Sequence, residues 1–94
     1  MTKTTCYTID REIIADRIVE NEAVILNLDN GMYYSLNGIG TRIWQLLDEG
    51  KTETAILEVL LREYSARPET LKSDVEKLIG DLLAEKLIKK IRGK

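Results

Sequence analysis

Three carboxylates lie at helical spacing near the end of the chain: Asp74, Asp81 and Glu85. Paired carboxylates serve general acid–base catalysis. Here the chain has no histidine and one cysteine, Cys6, so it lacks the residues that a zinc site or a Cys–His nucleophile pair requires. We therefore predict that the protein is not an enzyme and needs no metal or cofactor. The three acids are interpreted as the solvated border of a helix, and a bias of a nearby groove toward basic ligands stays open.

Two other patterns suggest ligands and are better explained otherwise. Gly38 and Gly40 flank Ile39, but no Lys-Ser/Thr follows them, so close backbone packing explains them better than a phosphate-binding loop. The chain ends in scattered cations, which fit a solvated helix end better than a site for nucleic acid or an acidic membrane. These cations are Lys86, Lys89, Lys90, Arg92 and Lys94.

Composition restricts the class of protein. Ninety-four residues make one domain, and 44% hydrophobic residues are enough for one core. A net charge of −2 disfavours a nucleic-acid binder, which normally carries a clustered basic face. The first residues lack the apolar run of a secretory signal, no stretch could span a bilayer, and one cysteine excludes an internal disulfide. We expect a cytoplasmic, reduced protein.

An aromatic segment, residues 32–36, is the strongest candidate for recognition. By the two-residue period of a strand, Met32, Tyr34 and Leu36 point one way, and Tyr33 and Ser35 point the other. The tyrosine pair could be simple core packing. If Tyr34 is buried, however, Tyr33 faces the opposite side of the sheet, where it could contact a strand added at an open edge.

The elements around this segment form a simple order. Residues 1–11 are expected to be flexible. Strands are predicted at residues 13–19, 22–28 and 32–36, with a hairpin signal at Asp29-Asn30-Gly31 before the third. The third strand should lie at the edge of an antiparallel meander.

Three helices should follow the strands. The first is capped by Asn37 and ends near Gly50, the second is capped by Thr52, and the third runs from Pro68 to about residue 88. The third helix carries a broad apolar arc, wide enough to pack on the other helices and still present apolar surface. This arc comprises Leu71, Val75, Leu78, Ile79, Leu82 and Leu83.

Order and motif together resemble a known family. Residues 25–37 (ILNLDNGMYYSLN), then Gly40 and residues 43–47 (IWQLL), look like the family of pyrroloquinoline quinone biosynthesis protein D, PqqD. The likeness continues through Thr52, Ile56, Glu63-Tyr64, Asp74-Val75 and residues 87–88. It covers residues 12–90, which we take as the recognition domain.

The resemblance implies a fold and a function. The fold is α+β and winged helix-turn-helix-like, with a three-stranded antiparallel sheet followed by a three-helix bundle. Such domains bind the leader segment of a ribosomally synthesised, post-translationally modified peptide, which adds to the third strand and lies against the third helix. The peptide-binding residues predicted on this basis are Met32, Tyr33, Tyr34, Ser35, Asp74, Val75, Leu78, Asp81, Leu82 and Glu85.

The resemblance also implies partners. In form the chain is most similar to the free-standing protein of lasso-peptide pathways, whose partners are a cysteine-protease-type leader peptidase and an asparagine-synthetase-like cyclase. A radical SAM enzyme is the alternative partner. A winged-helix DNA-binding regulator and a purely structural subunit are competing functions. The former is disfavoured because the strands precede the helices and no helix is basic along one face.

Overall fold

Eight elements make up the fold in the computed structural model, which describes residues 5–91. The predictions for residues 1–4, Arg92 and Lys94 lie outside this range. In chain order the elements are β1 (Cys6–Thr8), β2 (Ile14–Val19), β3 (Glu22–Asn27), β4 (Tyr33–Leu36), α1 (Gly38–Asp48), α2 (Glu53–Glu63), α3 (Pro68–Ala84) and β5 (Lys89–Ile91). The predicted α+β order of three sheet strands and then three helices is confirmed.

The main sheet is antiparallel, in the order β2-β3-β4. Its faces follow the two-residue period, since Ala23, Ile25 and Asn27 are buried on one side while Val24 and Leu26 are exposed on the other. The Asn27 carboxamide also shapes the hairpin, because its Oδ1 accepts from the backbone N–H of Asp29 at 2.8 Å. This turn brings the chain back as β4 at one edge of the sheet.

α1 packs on the main sheet and α2 packs on α3, and the helices begin at recognisable signals. The Thr52 side chain accepts from the Ala55 N–H at 3.1 Å and so caps α2, as predicted. Pro68 occupies the first turn of α3, also as predicted. Asn37 holds the N-cap position of α1, but its side chain makes no capping hydrogen bond. In α1, Trp44 and Ile43 are among the residues that reach the core.

The third helix ends earlier than the sequence predicts. It stops at Ala84, and Lys86 adopts a left-handed conformation with φ of 61°. The N–H of Lys86 then donates to the Leu83 carbonyl at 3.0 Å, and that of Leu87 to the Leu82 carbonyl at 2.9 Å. This is the Schellman arrangement, which normally uses glycine at the left-handed position. The prediction of a helix to residue 88 is wrong because lysine gave no stop signal.

A two-stranded ribbon closes the fold, and the sequence did not predict it. β1 and β5 pair antiparallel, with Tyr7 opposite Lys90. Tyr7 and Ile9 are buried, although they lie within the segment expected to be flexible. Leu87 and Ile88, just before β5, are buried as well. The basic end of the chain thus continues into a strand instead of extending the helix. No helix within residues 5–91 is long and apolar enough to cross a membrane.

Candidate functional site: a groove beside an open strand edge

The outer edge of β4 is open. β4 is the last strand of its sheet, and it pairs with β3 alone among the described strands. The Asn27 N–H donates to the Met32 carbonyl at 2.8 Å, which shows that Met32 directs its main chain toward β3. Because antiparallel ladders alternate, Tyr34 and Leu36 do the same. The N–H and C=O groups of Tyr33 and Ser35 therefore point outward.

A buried threonine fixes the far end of this strand. Thr41 Oγ1 accepts from the Ala23 N–H at 2.9 Å and donates to the Leu36 carbonyl at 2.8 Å. The hydroxyl thus lies between β3 and β4 and joins both strands to α1. Thr41 is only 4% exposed, so water cannot replace it. Its hydroxyl holds the end of β4 against the start of α1.

Thr41→Val should destabilise the protein although the two side chains have nearly the same shape. The change leaves the buried Ala23 N–H and Leu36 carbonyl without this partner, at a cost of about 1–3 kcal/mol. Thr41→Ser, which keeps the hydroxyl, is the matched control and should lose less. Chemical denaturation of the three proteins measures the difference. A Thr41→Val protein as stable as the parent would show that the hydroxyl does not hold the ladder.

A groove of about 460 Å³ runs between β4 and α3, over the start of α1. We call it the β4–α3 groove. Its floor is apolar and is formed by Leu36, Ile39, Gly40, Ile43 and Leu78. Its walls are polar and are formed by Glu22, Ser35, Asn37, Asp74, Lys77 and Asp81. The size and the mixed lining suit a few side chains of a ligand better than a whole folded partner.

Gly40 gives the groove its depth. A Cβ at this position would lie 3.4 Å from the Leu36 Cβ and 3.7 Å from the Leu78 Cδ2. The absent side chain leaves space between strand and helix. These are ordinary van der Waals distances, so Gly40 lies where β4, α1 and α3 come together, as the close-packing interpretation expects. The same interpretation is wrong for Gly38, because a Cβ there would meet nothing within 4 Å.

A hydrogen bond joins strand and helix just beyond the groove. The Tyr34 hydroxyl donates to Glu85 Oε1 at 2.8 Å. This bond to the carboxylate raises the pKa of Tyr34 above its usual value. Glu85 lies one helical turn beyond Asp81, so the bond fixes the width of the opening at that end.

The structure separates the ten predicted site residues into three sets. Ser35, Asp74, Leu78 and Asp81 line the groove. Four others lie beside the groove. Tyr34 and Glu85 form a hydrogen bond with each other, and Met32 and Tyr33 are exposed at β4 or next to it.

The other two predicted residues lie elsewhere. Val75 and Leu82 are 1% and 3% exposed and belong to the core. Their face of α3 packs inward together with Leu71 and Ile79, which is why neither lines the groove. They support the helix that forms the wall, and they offer no surface to a ligand in this conformation.

Several groove residues were not predicted. The floor takes Leu36 from β4 and Ile39, Gly40 and Ile43 from α1, while Glu22 and Lys77 join the walls. The Gly38-Ile39-Gly40 sequence was the one available signal, because a glycine needed for close packing marks a place where two elements meet. Which elements meet there depends on tertiary structure.

Clusters of metal-ligating side chains are absent from the part of the chain that the structure describes. Within residues 5–91, no group of three or more His, Cys, Asp or Glu side chains could hold a metal ion. What the groove does offer is an open main-chain edge beside an apolar floor with charged walls. This combination fits an extended peptide.

Comparison with known proteins decides the family. Residues 22–88 match the family described as Coenzyme PQQ synthesis protein D (PqqD). The chain belongs to the PqqD family. The resemblance inferred from the sequence is thus confirmed. Comparison with curated protein sequences gives no significant match.

Two solved structures are similar to this PqqD-family chain. One, described as TbiB1 in complex with the TbiA(beta) leader peptide, has a TM-score of 0.80 and 31% identity. The similarity extends over 86% of this chain and 93% of the chain in that structure. The other, described as lasso peptide synthetase B1 complexed with the leader peptide, has a TM-score of 0.76 and 21% identity, and covers 92% of this chain and 98% of its own. The second similarity confirms the fold alone.

Proposed function

We propose that this protein binds the leader segment of a ribosomally synthesised precursor peptide, which adds to the outer edge of β4. The observation that carries the proposal is the outward-facing main chain of Tyr33 and Ser35 directly beside the β4–α3 groove. TbiB1, at 31% identity, is described in complex with a leader peptide, which supports the same ligand class.

In the proposed binding mode, affinity and selectivity come from different groups of the leader. Main-chain groups of the leader pair with those of Tyr33 and Ser35, whatever the leader's sequence. Successive side chains of an added strand point to opposite faces, so every second one enters the groove. There it meets the apolar floor around Leu36, Gly40 and Leu78. Selectivity thus comes from the groove-facing positions.

The protein has a presenting role in this proposal and performs no chemistry itself. It holds the leader for enzymes that modify the precursor, in the cytoplasm. The partners we propose are a leader peptidase and a cyclase of a lasso-peptide pathway. The second similar structure, described as lasso peptide synthetase B1, has this fold. A radical SAM enzyme remains the alternative partner, because the matched family is named for coenzyme PQQ synthesis.

Ser35→Pro tests the added strand directly. Proline removes the outward N–H of Ser35 while the ladder to β3, made by Tyr34 and Leu36, stays intact. Edge strands accept proline where the N–H faces solvent. Loss of one main-chain hydrogen bond should weaken leader binding about tenfold.

The measurement is calorimetric titration with the synthetic leader of the precursor encoded beside this protein's gene. The parent should bind it with a Kd between about 1 nM and 1 μM. Ser35→Ala keeps the N–H and removes only the hydroxyl at the groove wall, so as the matched control it should lose less affinity than Ser35→Pro. Absence of heat with the parent at high micromolar leader would refute the proposed function. Equal affinity of Ser35→Pro and Ser35→Ala would show that the leader does not pair with β4.

A further inference from the structure

The α3 wall of the groove carries charge without partners. Asp74, Lys77 and Asp81 lie on one face of the helix and line the groove together with Leu78. Glu22 faces the same space from β3. In the part of the chain that the structure describes, none of these four charged side chains forms an ion pair or a side-chain hydrogen bond.

Three acids away from the groove pair with arginine. Asp16 and Asp48 both pair with Arg11, at 2.9 and 2.8 Å, and Glu63 pairs with Arg42 at 2.9 Å. The Arg42 guanidinium lowers the pKa of Glu63 below its usual value. The groove acids differ from these three in that no cation of the described chain pairs with them, so they are available to a cationic ligand.

The charges around the groove do not cancel. Three carboxylates face one ammonium, that of Lys77, above an apolar floor. A concave site with one dominant sign of charge attracts ligands of the opposite sign. Lysine and arginine combine an apolar stem with a cationic head, and such side chains lay the stem on apolar surface while the head stays in water. They match a groove with Leu78 at its floor and carboxylates at its walls.

The spacing of the wall fits the spacing of an added strand. At 1.5 Å per residue, Leu78 lies about 6 Å from Asp74 and about 4.5 Å from Asp81 along the helix axis. Groove-facing side chains of a peptide strand recur about every 6.7 Å. In a strand that runs along α3, one such side chain over Leu78 places the next one beside Asp74 or Asp81.

We propose that the groove selects a peptide strand with an apolar side chain at one groove-facing position and a lysine or arginine at the next, held by Asp74 or Asp81. This rests on the proposed function and specifies its ligand. The pairing is partly exposed, so its expected contribution is about two- to fivefold in affinity at low salt. It adds selectivity to the main-chain pairing and the apolar anchor.

The test is selection of binders from a displayed library of random ten-residue peptides. The parent should enrich peptides that carry an apolar residue and, two positions away, Lys or Arg. In Asp74→Lys/Asp81→Lys, both at exposed positions, the preference at that position should change to Glu or Asp. Glu12→Gln/Glu58→Gln is a control for acids away from the groove, both exposed. It should enrich the same peptides as the parent.

One selected peptide then gives the contribution of the charge pairing to affinity. Replacing its Lys by Gln should weaken binding to the parent about two- to fivefold at 50 mM salt, and this difference should shrink at 500 mM. Apolar enrichment without a basic preference, or a basic preference that survives charge reversal, would overturn the inference and leave the proposed function standing. Failure to bind both the library and the cognate leader would instead refute the proposed function.

Discussion

Trp44→Ala is expected to lower the free energy of unfolding by about 3–5 kcal/mol, the range for large aromatic side chains deleted from a core. Trp44 is 1% exposed, so the change leaves a cavity. Its indole N–H also donates to Asp16 Oδ2 at 2.6 Å, and the change removes that partner from the carboxylate. Since small domains are stable by only about 5–15 kcal/mol, the change should remove a large share of the stability. Chemical denaturation followed by circular dichroism measures the loss.

Tyr33→Ala is the control for aromatic deletion. Tyr33 is 69% exposed on the outer face of the sheet, so its removal should change stability by less than about 0.5 kcal/mol. We expect it to weaken leader binding, because its side chain stands beside the edge where the leader adds. If Tyr33→Ala proved as damaging to folding as Trp44→Ala, the assignment of strand faces would be incorrect.

The second large effect is on binding, where Leu78→Lys should abolish leader recognition. Leu78 is half-buried and lines the groove floor, so a lysine there places a cation where apolar anchors of the leader would lie. Ile79 is the matched position, because its side chain is buried in the core. Ile79→Lys should therefore unfold the protein, whereas Leu78→Lys should remain folded.

Two measurements separate these outcomes. Denaturation gives the stability of both variants, and titration with the cognate leader gives the affinity of any that fold. Leu83, like Leu78, is only partly buried, so Ile79 alone serves as the core control. Should Leu78→Lys bind the leader like the parent, the leader must use another edge, such as the outer edge of β2.

The elements with a regular period could be predicted from the sequence. Alternation in β3 and β4 correctly separated Ile25 from Val24 and Tyr34 from Tyr33. Thr52 and Pro68 marked helix starts because each satisfies a local requirement of a helix terminus. These signals act over a few residues, so they can be interpreted without knowing the rest of the fold.

The features that the sequence did not predict, the end of α3 and the strands β1 and β5, depend on contacts with distant parts of the chain. The end of α3 depends on Lys86 in a conformation that lysine rarely adopts, and packing of Leu87 and Ile88 into the core accompanies it. β1 and β5 are three residues each, too short for a periodic pattern. Each forms because a distant partner is present, and no local property of the sequence indicates that partner.

Only part of the groove lining was predicted. Asp74 and Asp81 of the wall, with Leu78 beside them, could be derived because helical spacing places them on one face of α3. The floor could not, since it requires Ile39 and Ile43 of α1 to lie between β4 and α3. Periodicity indicates which residues share a face, but it does not indicate which element that face will meet.

The pairing of β1 with β5 has a consequence for how the chain folds. Within residues 5–91 this ribbon is the most non-local strand pairing, since Cys6 lies opposite Ile91. Contacts of this kind require closure of the longest loop and form slowly. The β2-β3-β4 meander and its contacts with α1 need only short loops, whereas the α3 wall of the groove needs a longer one, since Tyr34 and Glu85 are 51 residues apart. The strand side of the groove can therefore assemble early on the folding pathway, before α3 docks and before β1 meets β5.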